Sequence, residues 1–158
     1  MSATLEQTLF TAAVHTFERM VFLLPDVPPD EIQRQQPVEA VATIAFSGPA
    51  RGMLQVHAGV GLLPRLTANM LGTDEADERL QLDALGELAN VICGQVLPAL
   101  HPVNAFEYQP PDVVAGAASA VMAAAGPSAR LELGLETSRA ELLLYLFPGN
   151  GNGNGSSA

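Results

Sequence analysis

Apolar residues at Leu9, Ala13, Phe17, Met20 and Leu24 recur at spacings of three and four, which predicts an amphipathic helix over residues 5–24. Pro25, Pro28 and Pro29 are expected to end it. After a polar link over 30–36, residues 38–46 and 52–58 are short, rich in β-branched or alternating apolar residues, and separated by Ser47, Gly48 and Pro49. That pattern predicts a β-hairpin. Residues 62–71 predict a second helix stopped at Gly72. A third opens on the acidic group Asp74, Glu75, Asp77 and Glu78, where negative charge suits the positive end of the helix dipole. Leu82, Leu85, Ala89, Ile92 and Val96 give this third helix the most regular stripe in the chain, running to Pro98, and it is expected to pack on the hairpin sheet.

Further on, residues 110–115 look like the start of a strand, while 116–125 is nearly all alanine and fits a helix or a buried edge equally well. Residues 130–136 and 141–147 predict a second hairpin, with Thr137, Ser138 and Arg139 between the strands. The pattern describes one α/β domain over 1–148, with an antiparallel sheet from two hairpins packed against long helices. Residues 149–158 alternate glycine and asparagine and read as a flexible tail with nothing to bury.

Charge and composition narrow the chemistry. The chain has 158 residues, enough to support its own core, with 17 acidic against 7 basic groups and a net charge of -10. Every basic residue is an arginine, so mechanisms built on a lysine amine are closed to it. Scattered arginines among so many carboxylates make no basic face, which argues against nucleic acid as a partner. One cysteine, Cys93, excludes an internal disulfide and multi-cysteine metal sites. No apolar stretch is long enough to span a bilayer and the first residues carry no basic leader, so no membrane association and a cytoplasmic location are expected. His15, His57 and His101 lie far apart without ligand spacing, so no metal site is expected. Cys93 sits beside the apolar stripe and reads as a small core residue.

Opposite the apolar stripe of the third helix stand Asp83, Glu87, Asn90 and Gly94, at intervals of four, three and four. Glu87 and Asn90 are one turn apart, and Gly94 leaves a notch where a foreign backbone could approach. Any amphipathic surface helix shows a polar stripe, and spacing alone does not separate a docking face from a solvated one. Composition does favour docking: asparagine and two glycines, Gly86 and Gly94, are poor helix formers that a helix selected only for stability would avoid.

The string Asp83-Ala-Leu-Gly-Glu87-Leu-Ala-Asn90-Val-Ile-Cys-Gly94 resembles the signature of the CheC/CheX/FliY chemotaxis phosphatases, in which an acid or serine, three residues, Glu, two residues and Asn mark the active helix. The hairpin turn Phe46-Ser-Gly-Pro-Ala-Arg-Gly52, the helix end Asn69-Met-Leu-Gly72 and Pro111-Asp-Val-Val-Ala-Gly116 fall where a CheX-like domain would place them, so the resemblance covers roughly 5–147. Two departures stand out. The proline that the family sets 23 residues past the asparagine would fall at Val113, whereas this chain has Pro110 and Pro111, a small loop-length difference. Only one Glu-x-x-Asn occurs, which is similar to CheX, with one active helix per chain and a dimeric state, rather than to CheC with two.

The resemblance implies hydrolysis of the aspartyl phosphate on a CheY-like response regulator. Asn90 would position the water, and Glu87 would pair with the receiver's lysine. Asp83 and Gly94 would lie on the partner-binding face, Asp83 at its periphery. The chain would bring no cofactor of its own, since the receiver supplies Mg2+, and a homodimer is expected. Two other classes stay open at this stage: a non-catalytic binding module of the same fold that recognises a receiver, and, more remotely, a structural protein of the flagellar switch.

Overall fold

The expected hairpins form the centre of the molecule. A computed structural model describes residues 2–74, 77–116 and 126–148. In it β1 (Val38–Ser47) pairs antiparallel with β2 (Arg51–Gly59), and β5 (Ala129–Leu135) with β6 (Ser138–Phe147). Antiparallel pairing of β2 with β6 joins the hairpins into one sheet. The second turn is tighter than the sequence suggests. Ser138 and Arg139 already belong to β6, and only Glu136 and Thr137 turn the chain, with Glu136 at a φ of 59°. Two short strands line the free side of β1: β4 (Asp112–Ala115), where the sequence predicts a strand start over 110–115, and β3 (Glu107–Tyr108), which hydropathy did not reveal. At two residues β3 is too short for a period of two to register. The alanine-rich segment, over 117–125, and the tail 149–158 lie outside the described residues.

Side chains alternate across these strands, so one face of the sheet is apolar: Ala40, Ala42 and Ile44 of β1, Leu54 and Val56 of β2, Leu142 and Leu144 of β6 and Leu133 of β5 are all fully buried. They form one core with the helices, to which α1 (Ser2–Thr16) contributes Leu9 and Ala13, α3 (Leu62–Leu71) Leu62 and Leu66, and α4 (Glu78–Leu100) Leu85, Leu88 and Ile92. The long helix packs on the hairpin sheet, as its stripe requires.

The opening helix departs from expectation at its end. Beyond Thr16 the chain runs through a π-helical turn, Phe17–Val21, and stops at Phe22, whose φ of 62° is left-handed. Asn69 of α3 donates its side-chain N–H to the Val21 carbonyl at 2.6 Å, so the helix is closed by a tertiary cap before the prolines are reached. Phe17 and Val21 are buried, but Leu24 is 78% exposed and does not belong to the stripe. At the other end of the helical layer, α4 passes through Pro98 and continues to Leu100. A proline in the last turn forfeits a single i→i−4 bond, the one to the Gly94 carbonyl, and His101 N–H still reaches the Leu97 carbonyl at 3.2 Å. Gly72, with a φ of 72°, ends α3 as expected. At the start of α4 Asp77 caps the helix by accepting from Leu80 N–H at 3.0 Å.

The polar link contains a short helix, α2 (Glu31–Arg34), that ties the second hairpin to the rest. Its Gln33 is buried and its side chain is used three times. Oε1 accepts from Asp30 N–H at 2.8 Å, closing a capping box, while Nε2 donates to Asp26 Oδ2 at 2.8 Å and to the Glu136 carbonyl at 2.7 Å. The amide lies directly on Gly134, where a Cβ would collide with Gln33 Oε1. Asp26 and Gly134 also exchange two backbone hydrogen bonds of 2.8 Å, which occupy this end of the β5 edge.

The opposite sheet face carries a polar ladder. Gln55 donates from Nε2 to Thr43 Oγ1 at 3.3 Å and accepts on Oε1 from His57 Nε2, 3.1 Å away. Across the sheet Glu141 pairs with Arg130 at 2.5 Å, and Arg139 lies 3.7 Å from its second oxygen. Burial pushes the His57 imidazole below its ordinary value; the Glu141 charge opposes that shift, and Arg139 and Arg130 reinforce it.

Two outcomes follow for stability. Gly134→Ala must displace the buried Gln33 amide and break its three hydrogen bonds, so it should destabilise the chain by about 2–3 kcal/mol in chemical denaturation. For His57, a depressed folded pKa means that the unfolded chain binds the proton more readily. Stability is therefore full above the ordinary imidazole value and is lost as pH falls through that value to the folded one. Melting temperature should drop more steeply between about pH 7.5 and 5.5 for the wild type than for His57→Gln, in which the titrating group is gone.

Candidate functional site

Packing on the sheet sets the rotation of α4 and so decides which residues face outward. With Leu85, Leu88, Ala89, Ile92 and Val96 buried, Asp83 and Glu87 are exposed, and Asn90 and Gly94 are half-buried. The four residues expected on the docking face thus share one continuous stripe. Among the described residues the side chains of Asp83, Glu87 and Asn90 make no hydrogen bond or ion pair. Their polar atoms do nothing for the fold. Thr and amide side chains elsewhere in the chain contrast with this: Thr16, Thr67, Gln33 and Asn69 each bond a backbone carbonyl.

The stripe is walled on one side by the segment that carries β3 and β4. Near the start of α4, Pro111 and Val113 close on the helix, where a Cβ at Gly86 would lie 3.1 Å from Val113 Cγ2 and 3.3 Å from Pro111 Cγ. Gly86 is therefore a packing residue, and its weak helix propensity has a structural cause rather than a functional one. Asp83 lines a cleft of about 510 Å³ with Arg79, Leu82, Pro111 and Val113. At the other end Tyr108 reaches over Gly94, its hydroxyl 3.5 Å from where a Cβ would stand. The notch at Gly94 is thus roofed in part by the chain's own phenol. A second cleft of about 350 Å³ opens beside it, between Gly94, Pro98, His101, Val103 and Tyr108. Sequence reasoning missed Tyr108, because a two-residue strand before a proline-rich turn has no periodic signal. The available cue was an aromatic residue in a polar stretch.

Remaining candidates stand apart from this face. Cys93 is buried, and burial pushes its thiol up to about 12, so it is a core residue with no reactive thiolate. His15 faces Gln95 at 3.5 Å on the α1 side of the helix, His57 belongs to the outer ladder, and His101 follows the end of α4. Among the described residues no three His, Cys, Asp or Glu side chains come together as metal ligands, and no helix is long and apolar enough to cross a membrane.

Comparison with known proteins agrees with this architecture. The chain is similar to the chemotaxis protein CheX of Desulfovibrio desulfuricans, at 20% identity over 90% of this chain and 99% of that one, with a TM-score of 0.73. It is similar to CheX of Vibrio vulnificus, at 18% identity over 93% and 99%, with a TM-score of 0.72. It also matches the CheX–CheY–BeF3–Mg2+ complex of Borrelia burgdorferi, at 13% identity over 90% and 97%, with a TM-score of 0.66. At such identities these likenesses show the fold. No curated protein matches the chain. The family model of the chemotaxis phosphatase CheX matches residues 40–131, more than half of the chain and the stretch that holds all of α4 and all but the first two residues of the first hairpin. The chain belongs to the CheX family of chemotaxis phosphatases.

Proposed function

We propose that this chain hydrolyses the aspartyl phosphate of a CheY-like receiver domain, with the outward stripe of α4 as its working face. The observation that carries the reading is the idle polarity of that stripe: Glu87 and Asn90 sit one turn apart on a helix anchored by its opposite side, with side chains that no fold contact uses. The CheX of Borrelia burgdorferi, bound to CheY with BeF3 and magnesium, supports the same class of partner for this chain.

The chemistry asks little of the phosphatase. An acyl phosphate has a good leaving group, and hydrolysis breaks the bond between phosphorus and the aspartyl oxygen as a water oxygen bonds to phosphorus, releasing phosphate and a free carboxylate. What is needed is a water held in line. A neutral amide both donates and accepts, so Asn90 can hold that water by its proton while leaving a lone pair directed at phosphorus. Glu87 pairs with the receiver's lysine, a charge-assisted contact that sets register. Asp83, exposed at the far end of the stripe, adds to the acidic rim. Magnesium belongs to the receiver, and the chain works in the cytoplasm, where receivers reside, as a homodimer with one active helix per copy.

Asn90→Ala should lower the rate of receiver dephosphorylation at least about tenfold. Because Asn90 has no structural partner and alanine is the better helix former, the melting temperature should stay level or rise. Glu87→Gln should weaken receiver affinity more than stability. Phosphate release from CheY-like receivers loaded with acetyl phosphate, with receiver titrations and thermal melts at equal concentrations of folded protein, checks all three. Binding of a loaded receiver without faster phosphate loss from the wild type would support the non-catalytic module instead. Equal rates for wild type and Asn90→Ala would remove Asn90 from the mechanism.

A further inference from the structure

We infer that Tyr108 is a positioning residue of the same site, donating its phenolic hydrogen bond to the docked receiver; this rests on the receiver-phosphatase reading and extends the contact face beyond α4. Three observations carry it. The hydroxyl stands 3.5 Å from the Cβ position of Gly94, which places it over the working stripe, and Gly94 lies about 6 Å along the helix from Asn90. It makes no hydrogen bond among the described residues, and the residue is 42% exposed, so the hydroxyl is open to a partner. Its backbone is also anchored: Tyr108 pairs with Phe46 on β1, Gln109 N–H donates to the Ala45 carbonyl at 2.9 Å, and the neighbouring Phe106 ring meets Phe46 edge-on with centroids 5.7 Å apart.

A phenol on an anchored strand, with an unused donor beside a water-positioning amide, is suited to contact a partner rather than to move protons. The distance decides what it touches. With Asn90 at the phosphorus, a group one helical turn away falls on the protein rim around the phosphoaspartate, where an oxygen acceptor of the receiver takes the bond. Tyr108 therefore acts on docking, and the transition state leaves its contact unchanged. The cleft beside Gly94, bordered by Val103 and His101, receives the receiver surface next to the contact.

Tyr108→Phe keeps the ring and its packing and deletes only the hydroxyl. With a CheY-like receiver phosphorylated by acetyl phosphate, KM should rise about three- to tenfold while kcat stays within about twofold. Affinity for the same receiver loaded with beryllofluoride and magnesium, measured by calorimetry, should fall by the same factor, and the melting temperature should be unchanged. Asn90→Ala, assayed in parallel, should show the opposite split, with kcat reduced. Unchanged KM and affinity in Tyr108→Phe, with Asn90→Ala still impaired, would overturn the role of Tyr108 and leave the phosphatase reading standing. Absence of hydrolysis and of binding by the wild type would overturn both.

Discussion

Burial of Leu85, Leu88, Ala89, Ile92 and Val96 against the sheet sets the rotation of α4, and the site depends on it. Each residue turns a helix by about 100°, so a slip of one position would carry the large side chains out of the core. Exposing a leucine or isoleucine forfeits roughly 1.5–3 kcal/mol, and three of them together approach the whole stability of a domain this size. The stripe of Asp83, Glu87, Asn90 and Gly94 is held in place by residues that never touch it. An amide on such a helix is pre-organised without hydrogen bonds of its own, as the proposed role of Asn90 in holding water requires.

The same logic separates residues that serve the fold from residues that do not. Gly86 looks at first like a functional weakness in the helix, yet Pro111 and Val113 occupy the space its side chain would need. Asn69 and Gln33 are polar residues in helices, but each closes a backbone group elsewhere in the chain. Asn90 has no such employment. Its place in the helix is what the proposed docking role accounts for, and the CheX family match covers the stretch that holds it, residues 40–131.

Much of the fold is legible in the amino-acid sequence alone. Both hairpins, α3, α4 and the outward stripe follow from periodicity, because each spans at least two repeats of its own pattern. What escapes the pattern is decided by tertiary contacts. Leu24 continues the arithmetic of the first helix but is excluded from the core by a π-helical turn and by the cap from Asn69, 48 positions beyond Val21. The turn of α4 past Pro98 survives because a proline in a last turn removes only one bond. β3 exists because β1 offers a free edge, not because its own two residues demand a strand. Within the site, Glu87 and Asn90 can be read from spacing and resemblance, whereas Tyr108 cannot, since its position over Gly94 is a consequence of that edge pairing.

The central claim is that the Asn90 amide meets the phosphoryl group of the receiver, and its own NMR signals report this most directly. In a 15N-labelled sample, the side-chain NH2 resonances of Asn90 should shift on addition of a CheY-like receiver loaded with beryllofluoride and magnesium, and should move far less with the unloaded receiver. A loaded receiver that binds and perturbs other surfaces, such as α1 or the outer sheet face, while leaving the Asn90 amide unmoved would contradict the account.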